Sequence, residues 1–269
     1  MGTWEIADNN AAQAVKDAVE IGYRHIDTAQ GYANEKGIGE GVRTCGIKQE
    51  ELFVTTKMDA GVKTYDGAVA SIDSSLKALS LDYIDLMIIH SPKPWAEFHE
   101  ADRYLEGNRE VWKALEEAYN SGKLRAIGVS NFGIADIENI LESCTVQPMI
   151  NQILSHISNT PKELIDYCQE KDILVEAYSP IAHGELLKNE EIGKMTEKYG
   201  VTVPQLCIRY CLQLQLLPLP KTANPQHMKN NAEVNFEISA DDMEVLENME
   251  QIKDYGEFSK FPVFGGRLK

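Results

Sequence analysis

Five short stretches limit most sharply what this chain can fold into. They are Gly22-Tyr-Arg-His-Ile-Asp-Thr-Ala29, then Tyr32, Thr55-Thr-Lys57, Ile88-Ile-His90 and Ser130-Asn-Phe132. Each follows or ends a short apolar run that reads as a buried strand. The order strand, loop, helix then recurs along the chain. Tyr23–Asp27 precedes a helix over Glu35–Cys45, and Leu52–Lys57 precedes Gly67–Leu79. Ile84–His90 precedes Arg109–Ser121, and Ala126–Ser130 precedes Ile134–Cys144. Met149–Gln152 leads to Pro161–Lys171, Leu174–Ala177 to Glu190–Gln213, and Leu216–Leu219 to Pro225–Asn231. Ala68, Ile72, Leu76 and Leu79 form the stripe of one helix face. Pro161 suits the first turn of its helix, with Thr160 as N-cap.

Such alternation makes an α/β fold with a parallel sheet covered by helices. A (β/α)8 barrel takes about 250 residues, so 1–269 reads as a single barrel domain. Only seven strand–helix units are legible, and only Met1–Ile6 precedes a first helix over Ala11–Glu20. The expectation is therefore a TIM barrel with an incomplete first strand, whose exposed gap could permit self-association. An extra helix from Ser239 to about Glu250, followed by a tail, lies outside the repeat. An open doubly wound sheet lacks support, because no G-x-G-x-x-G follows the first strand. Gly37, Gly39 and Gly41 read as close helix–sheet packing, in preference to a phosphate cradle.

The net charge of −16 argues against nucleic acid or an anionic membrane as partner. No apolar run approaches the roughly 20 residues of a membrane span, and no leader is visible, so a cytoplasmic monomer is expected. The five cysteines include no CxxC pair. Cys207 and Cys211 share a helix face, and read as buried thiols more readily than as metal ligands. No metal is expected.

Asp27, Tyr32, Lys57 and His90 all fall where successive strands run out, the end at which such barrels keep their chemistry. Singly, each has a plain structural reading: rim packing for the Tyr, capping for the Asp, snorkelling for the Lys, core for the His. Together, an acid, a phenol, an amine and an imidazole point to proton transfer to a carbonyl oxygen.

The same residues carry a family resemblance. Gly22–Ala29, Tyr32-Ala-Asn-Glu35 and Gly39 resemble the first signature of the aldo-keto reductases. Gly122-Lys-Leu-Arg-Ala-Ile-Gly-Val-Ser-Asn-Phe132 resembles the middle signature. Ala177-Tyr-Ser-Pro180 and Leu219-Pro-Lys-Thr222 resemble the cofactor segments. The resemblance runs from Gly2 to the C-terminus, and implies a barrel that reduces aldehydes or ketones with NADPH.

By that resemblance Tyr32 is the general acid. A free phenol has a pKa near 10, and the Lys57 ammonium is expected to lower it by roughly one or two pH units. Asp27 would hold Lys57 charged, and His90 would donate to the carbonyl oxygen. A Schiff-base lyase using Lys57 is opposed by that Asp27 pairing. Ser130, Asn131 and Gln152 would bind the nicotinamide carboxamide, with Thr3, Trp4 and Asp27 close by, and Tyr178 would stack on the ring. Ser179, Pro180, Ile181 and Leu187 belong to a loop over the pyrophosphate. Lys221 and Thr222 would take the 2′-phosphate, and Asn231 the adenine. Trp4, Tyr32, His90 and Trp95 would line the substrate pocket, with the tail aromatics Phe258, Phe261 and Phe264 near it.

Two departures stand out. His227 occupies a position where the family pattern has Arg, whose fork grips a phosphate bidentately. Relaxed preference, with NADH accepted beside NADPH, is the expectation. The second is the short start before Gly2-Thr3-Trp4. It makes the alternative function an N-terminally truncated, catalytically inactive reductase-like protein that binds nucleotide weakly or not at all.

Overall fold

The computed structural model describes residues 1–267. In chain order the elements are α1 Asp8–Ile21, β1 His25–Asp27, α2 Glu35–Thr44, β2 Phe53–Met58, α3 Tyr65–Leu79 and β3 Ile84–Ile89. There follow α4 Leu105–Asn120, β4 Leu124–Ser130, α5 Ile134–Leu141, β5 Ile150–Leu154, α6 Lys162–Glu170 and β6 Leu174–Tyr178. The last are α7 Glu190–Tyr199, α8 Val203–Gln213, β7 Leu217–Leu219, α9 Pro225–Ala232 and α10 Ala240–Glu247. All seven strands are parallel and neighbour one another in sequence order, β1 to β7. This is the expected barrel of alternating strands and helices.

Strand chemistry follows from burial on both faces. β3 reads Ile-Asp-Leu-Met-Ile-Ile and every residue is buried, as a parallel strand covered on both sides requires. Leu86 and Ile88 meet Ile150 in one small cluster, while Met87 and Ile89 join the large core packed with the helices. Successive side chains thus serve opposite faces of the sheet.

The gap before β1 is bridged, at one level, by the chain's first residues. Gly2 N–H donates to Pro220 O at 3.0 Å, and Asp27 N–H donates to Met1 O at 2.9 Å. Gly2 forms parallel bridges to both Asp27 and Lys221. One residue therefore stands where an eighth strand would run, at the rim bearing the catalytic candidates. Elsewhere, among the described residues, β1 and β7 share no ladder. Pro218, which cannot donate to a ladder, sits in the edge strand β7.

Three local expectations need correction. The alternating glycines pack helix on helix, not helix on sheet. A Cβ at Gly39 would lie 1.9 Å from Leu79 O at the end of α3, and one at Gly37 2.1 Å from Asp8 O of α1. The region Glu190–Gln213 is two helices, because Gly200 adopts φ 65° and ends α7 while Thr202 caps α8 through Gln205 N–H. Thr160 does not cap α6; its hydroxyl bonds His156 O at 3.2 Å and the Tyr210 hydroxyl at 2.7 Å.

Candidate active site

Asp27 ends β1, and a 3-10 turn over Gln30–Tyr32 follows it, which swings Tyr32 over the rim. Lys57 lies in the last turn of pleat of β2, and His90 directly follows β3. Lys57 is fully buried beneath the rim, and its Nζ donates to Asp27 Oδ1 at 2.5 Å and to Thr28 O at 2.9 Å. The same Nζ lies 4.9 Å from the centre of the Tyr32 ring. The His90 ring meets the Tyr32 ring edge-on at 5.9 Å, and Trp95 flanks His90 at 5.1 Å. The four catalytic candidates therefore come together as expected.

Their electrostatics differ from the expectation at one point. Burial pushes the Tyr32 phenol above its ordinary pKa, and the Lys57 ammonium only offsets part of that rise. The desolvation cost of a buried phenolate outweighs the pair attraction. Tyr32 thus holds its proton at neutral pH, the state an acid needs. Burial alone would lower Lys57, but the Asp27 carboxylate and Tyr32 reverse that, and the net shift is upward. The amine stays an ammonium, which disfavours its use as a nucleophile. Burial and the nearby Lys57 push His90 well below the usual range, leaving a neutral imidazole able to donate one N–H.

These groups open into a cavity of about 890 Å³. Every cofactor and substrate candidate from the sequence lines it, and Lys57 lies just below. At its inner end Asn131 takes a left-handed φ of 60°, which Asn tolerates better than most residues. Its amide donates to His90 O and to Ser130 Oγ, both at 3.0 Å, and its oxygen accepts from the Tyr178 hydroxyl at 2.7 Å. Ser130 Oγ donates to Gln152 O at 2.8 Å. Gln152 Nε2 donates to Asp27 Oδ2 at 2.9 Å and to Glu176 Oε2 at 2.8 Å. Two acceptors on one amide nitrogen leave Oε1 as the end free for a ligand.

Residues 1–251 match the Aldo/keto reductase family. The chain belongs to that family. It is 38% identical over 258 residues to the glyoxal reductase of Bacillus subtilis, covering 95% of this chain and 90% of that protein. It is 36% identical over 293 residues to the aldehyde reductase YPR1 of Saccharomyces cerevisiae, covering 98% and 92%. Among solved structures, the Bombyx mori aldo-keto reductase in complex with NADP aligns with a TM-score of 0.84 at 31% identity, covering 97% of this chain and 91% of that one.

Within this aldo-keto reductase fold the residues present fit a dinucleotide. The cavity runs from the Tyr32 rim to an outer end bearing Lys221, Thr222, Asn231 and the exposed His227. Lys221 Nζ is only loosely paired, 4.0 Å from Glu5 Oε2, and both side chains are partly exposed. Asn224 caps α9 through Gln226 and His227 N–H, presenting His227 on the first turn. Thr3 is fixed by its hydroxyl to Asp27 O at 2.9 Å and by its carbonyl to Asn34 Nδ2 at 3.0 Å.

Trp4 is held from downstream. Its ring lies 5.1 Å from Phe261, 5.7 Å from Phe258 and 5.3 Å from His183. The tail folds over the cavity mouth, and Phe264 is buried there. His183 escaped the sequence reading, although it stacks on Phe258 at 4.0 Å and bonds Ser179 Oγ at 3.0 Å. Glu176 escaped it too; the only signal was an acid in the middle of the apolar strand Leu174–Tyr178. Cys207 and Cys211 are buried in α8, and burial pushes the Cys211 thiol up to about 12. No helix among the described residues is long and apolar enough to cross a membrane.

Proposed function

We propose that this protein reduces aldehydes or ketones to alcohols with NADPH, and that Tyr32 protonates the nascent alkoxide. The observation that carries the reading is the convergence of Tyr32, Lys57, Asp27 and His90 at one end of a cleft that also holds the cofactor residues. The bound cofactor would supply a hydride to the carbonyl carbon, and the rest of the reaction is a proton delivered to oxygen. Tyr32 gives that proton, Lys57 stabilises the phenolate left behind, and Asp27 keeps Lys57 charged and in place. His90, as a neutral N–H donor, sets the angle of the carbonyl oxygen.

Ser130, Asn131 and Gln152 Oε1 are set to receive the carboxamide, and Tyr178 to cover the ring. Lys221 and Thr222 favour the 2′-phosphate of NADPH, while His227 weakens that preference and admits NADH. The two Gly2 bridges, which hold Thr3 and Trp4 in the cleft, favour an active enzyme over an inactive one. Lys221, at the far end, is the only Lys or Arg lining the cavity among the described residues, and Trp4, Trp95 and Phe261 line the substrate end. Uncharged, moderately apolar carbonyl compounds suit that lining. The test is Tyr32→Phe: turnover of an aldehyde panel should stop while NADPH still quenches tryptophan fluorescence. Turnover retained in that variant removes Tyr32 from its role.

A further inference from the structure

Glu176 sits in β6 with its side chain inside the barrel, 1% exposed. It touches the tetrad through one residue. Gln152 Nε2 spends its two N–H groups on Glu176 Oε2 at 2.8 Å and Asp27 Oδ2 at 2.9 Å. An amide oxygen turned toward the Asp27 carboxylate would be repelled, so Asp27 fixes the amide orientation that leaves the second N–H aimed at Glu176. Asp27 in turn binds Lys57, and Lys57 lies over Tyr32. A chain of contacts therefore runs from Glu176 to the phenol, entirely within the barrel.

The charges around this acid do not balance. The groups facing it are His25 and Asp27 from β1, Lys57 from β2, Gln152 from β5 and the buried Met1 nitrogen, which donates to His25 O and is pushed down to about 6 by burial. Its ladder neighbour on β7 is the apolar Leu217. Lys57 is already committed to Asp27. His25 Nε2 is 3.9 Å from Glu176 Oε1, but burial pushes that imidazole down to about 3, so it is neutral. Burial first, and the Asp27 charge second, push Glu176 up to about 7. The proposed reaction makes no use of this acid.

We propose that Glu176 is a positioning residue that sets, through Gln152 and Asp27, the charge seen by Lys57 and Tyr32 and so the pH range in which Tyr32 gives up its proton. The proposal rests on Tyr32 being the acid. Protonated Glu176 is neutral and leaves the Asp27–Lys57 pair balanced. Once ionised, it adds a second negative charge on the same amide. That charge opposes formation of the Tyr32 phenolate, so the phenol holds its proton more tightly and reduction slows. At moderate interior dielectric such a charge is worth about a three- to tenfold change in proton-transfer rate.

The experiment is the single-turnover rate of aldehyde reduction by the NADPH-loaded protein from pH 5.5 to 9, for the wild type, Glu176→Gln, Glu176→Asp and Tyr32→Phe. Single turnover keeps product release out of the rate. The wild type should fall about three- to tenfold through a midpoint near pH 7. Glu176→Gln should lose that step and stay on the faster plateau, and Glu176→Asp should keep a step at a shifted midpoint. Superimposable profiles for wild type and Glu176→Gln, with Tyr32→Phe inactive, would overturn the proposal alone. An active Tyr32→Phe would overturn the acid assignment beneath it. Should Glu176→Gln fail to fold, a wild-type profile flat between pH 6 and 8 still refutes the idea, and a step near 7 that moves in Glu176→Asp supports it.

Discussion

His227 is the one side chain on which the proposed cofactor preference turns. It is exposed on the first turn of α9, at the outer end of the cavity where Lys221 and Thr222 also lie. An Arg there would add a bidentate grip on a phosphate, worth about 1.5–3 kcal/mol for a charged hydrogen bond. His227→Arg is therefore expected to tighten NADPH binding by roughly ten- to a hundredfold and to leave NADH nearly unchanged. Fluorescence titration with both nucleotides checks it; equal gains for both would mean that the residue does not meet the 2′-phosphate. Lys57 makes the complementary case. Lys57→Met removes the ammonium that offsets burial of Tyr32 and leaves Asp27 buried without its partner. Turnover should drop by about 10²–10⁴-fold, and stability by about 3–5 kcal/mol, read from steady-state kinetics and urea unfolding. At this scale the sequence was informative, because Asp27, Tyr32, Lys57 and His90 each end a readable strand or follow one. What it lacked was the balance of burial against charge at Tyr32, since desolvation depends on neighbours from several strands.

Between elements, the close approaches of α2 carry the argument. Gly39 leaves no room for a Cβ, which would fall 1.9 Å from the Leu79 carbonyl oxygen. Because the obstructing atom is backbone, a substitution must move α3 bodily, and Gly39→Ala should destabilise by about 1–3 kcal/mol or more. Gly46 is the control: nothing lies within 4 Å of its Cβ position, but its φ of 89° makes substitution costly for backbone reasons alone. Chemical denaturation reads both losses, and aldehyde turnover separates the two, since only Gly39→Ala should also disturb the Tyr32 rim that α2 follows. The glycine spacing was legible as tight packing, yet its partner was not, because a stripe of small residues does not say whether a sheet or a helix approaches. The break at Gly200 was likewise present in the sequence as Gly-Val-Thr before Pro204, a helix stop followed by a capping box. Apolar periodicity continued across it and hid the joint. The Gly2 bridges could not be read at all, since a one-residue bridge has no period.

For the whole molecule, the barrel interior imposes a pH window on stability. Glu176 is pushed up from 4.5 to about 7 in the folded state, chiefly by burial. Between those values the folded chain keeps a proton that the unfolded chain releases, so stability falls as pH rises from about 4.5 through 7. A shift of this size corresponds to about 3 kcal/mol once Glu176 is fully ionised. His25 acts with the opposite sign. Burial pushes it from 6.5 down to about 3, so the unfolded chain gains a proton that the folded one refuses, and stability falls as pH drops below about 6.5. The buried Met1 amine, pushed from 8.0 down to about 6, adds a loss of the same sign as His25 when pH drops below 8, and so offsets part of the Glu176 slope. Glu176→Gln keeps an acceptor for Gln152 and removes only the alkaline slope. Its thermal midpoint should match the wild type near pH 5 and exceed it increasingly up to pH 8. Differential scanning calorimetry across that range measures the difference. A constant offset would mean that Glu176 does not change its protonation on folding, and the alkaline slope would then belong to other groups.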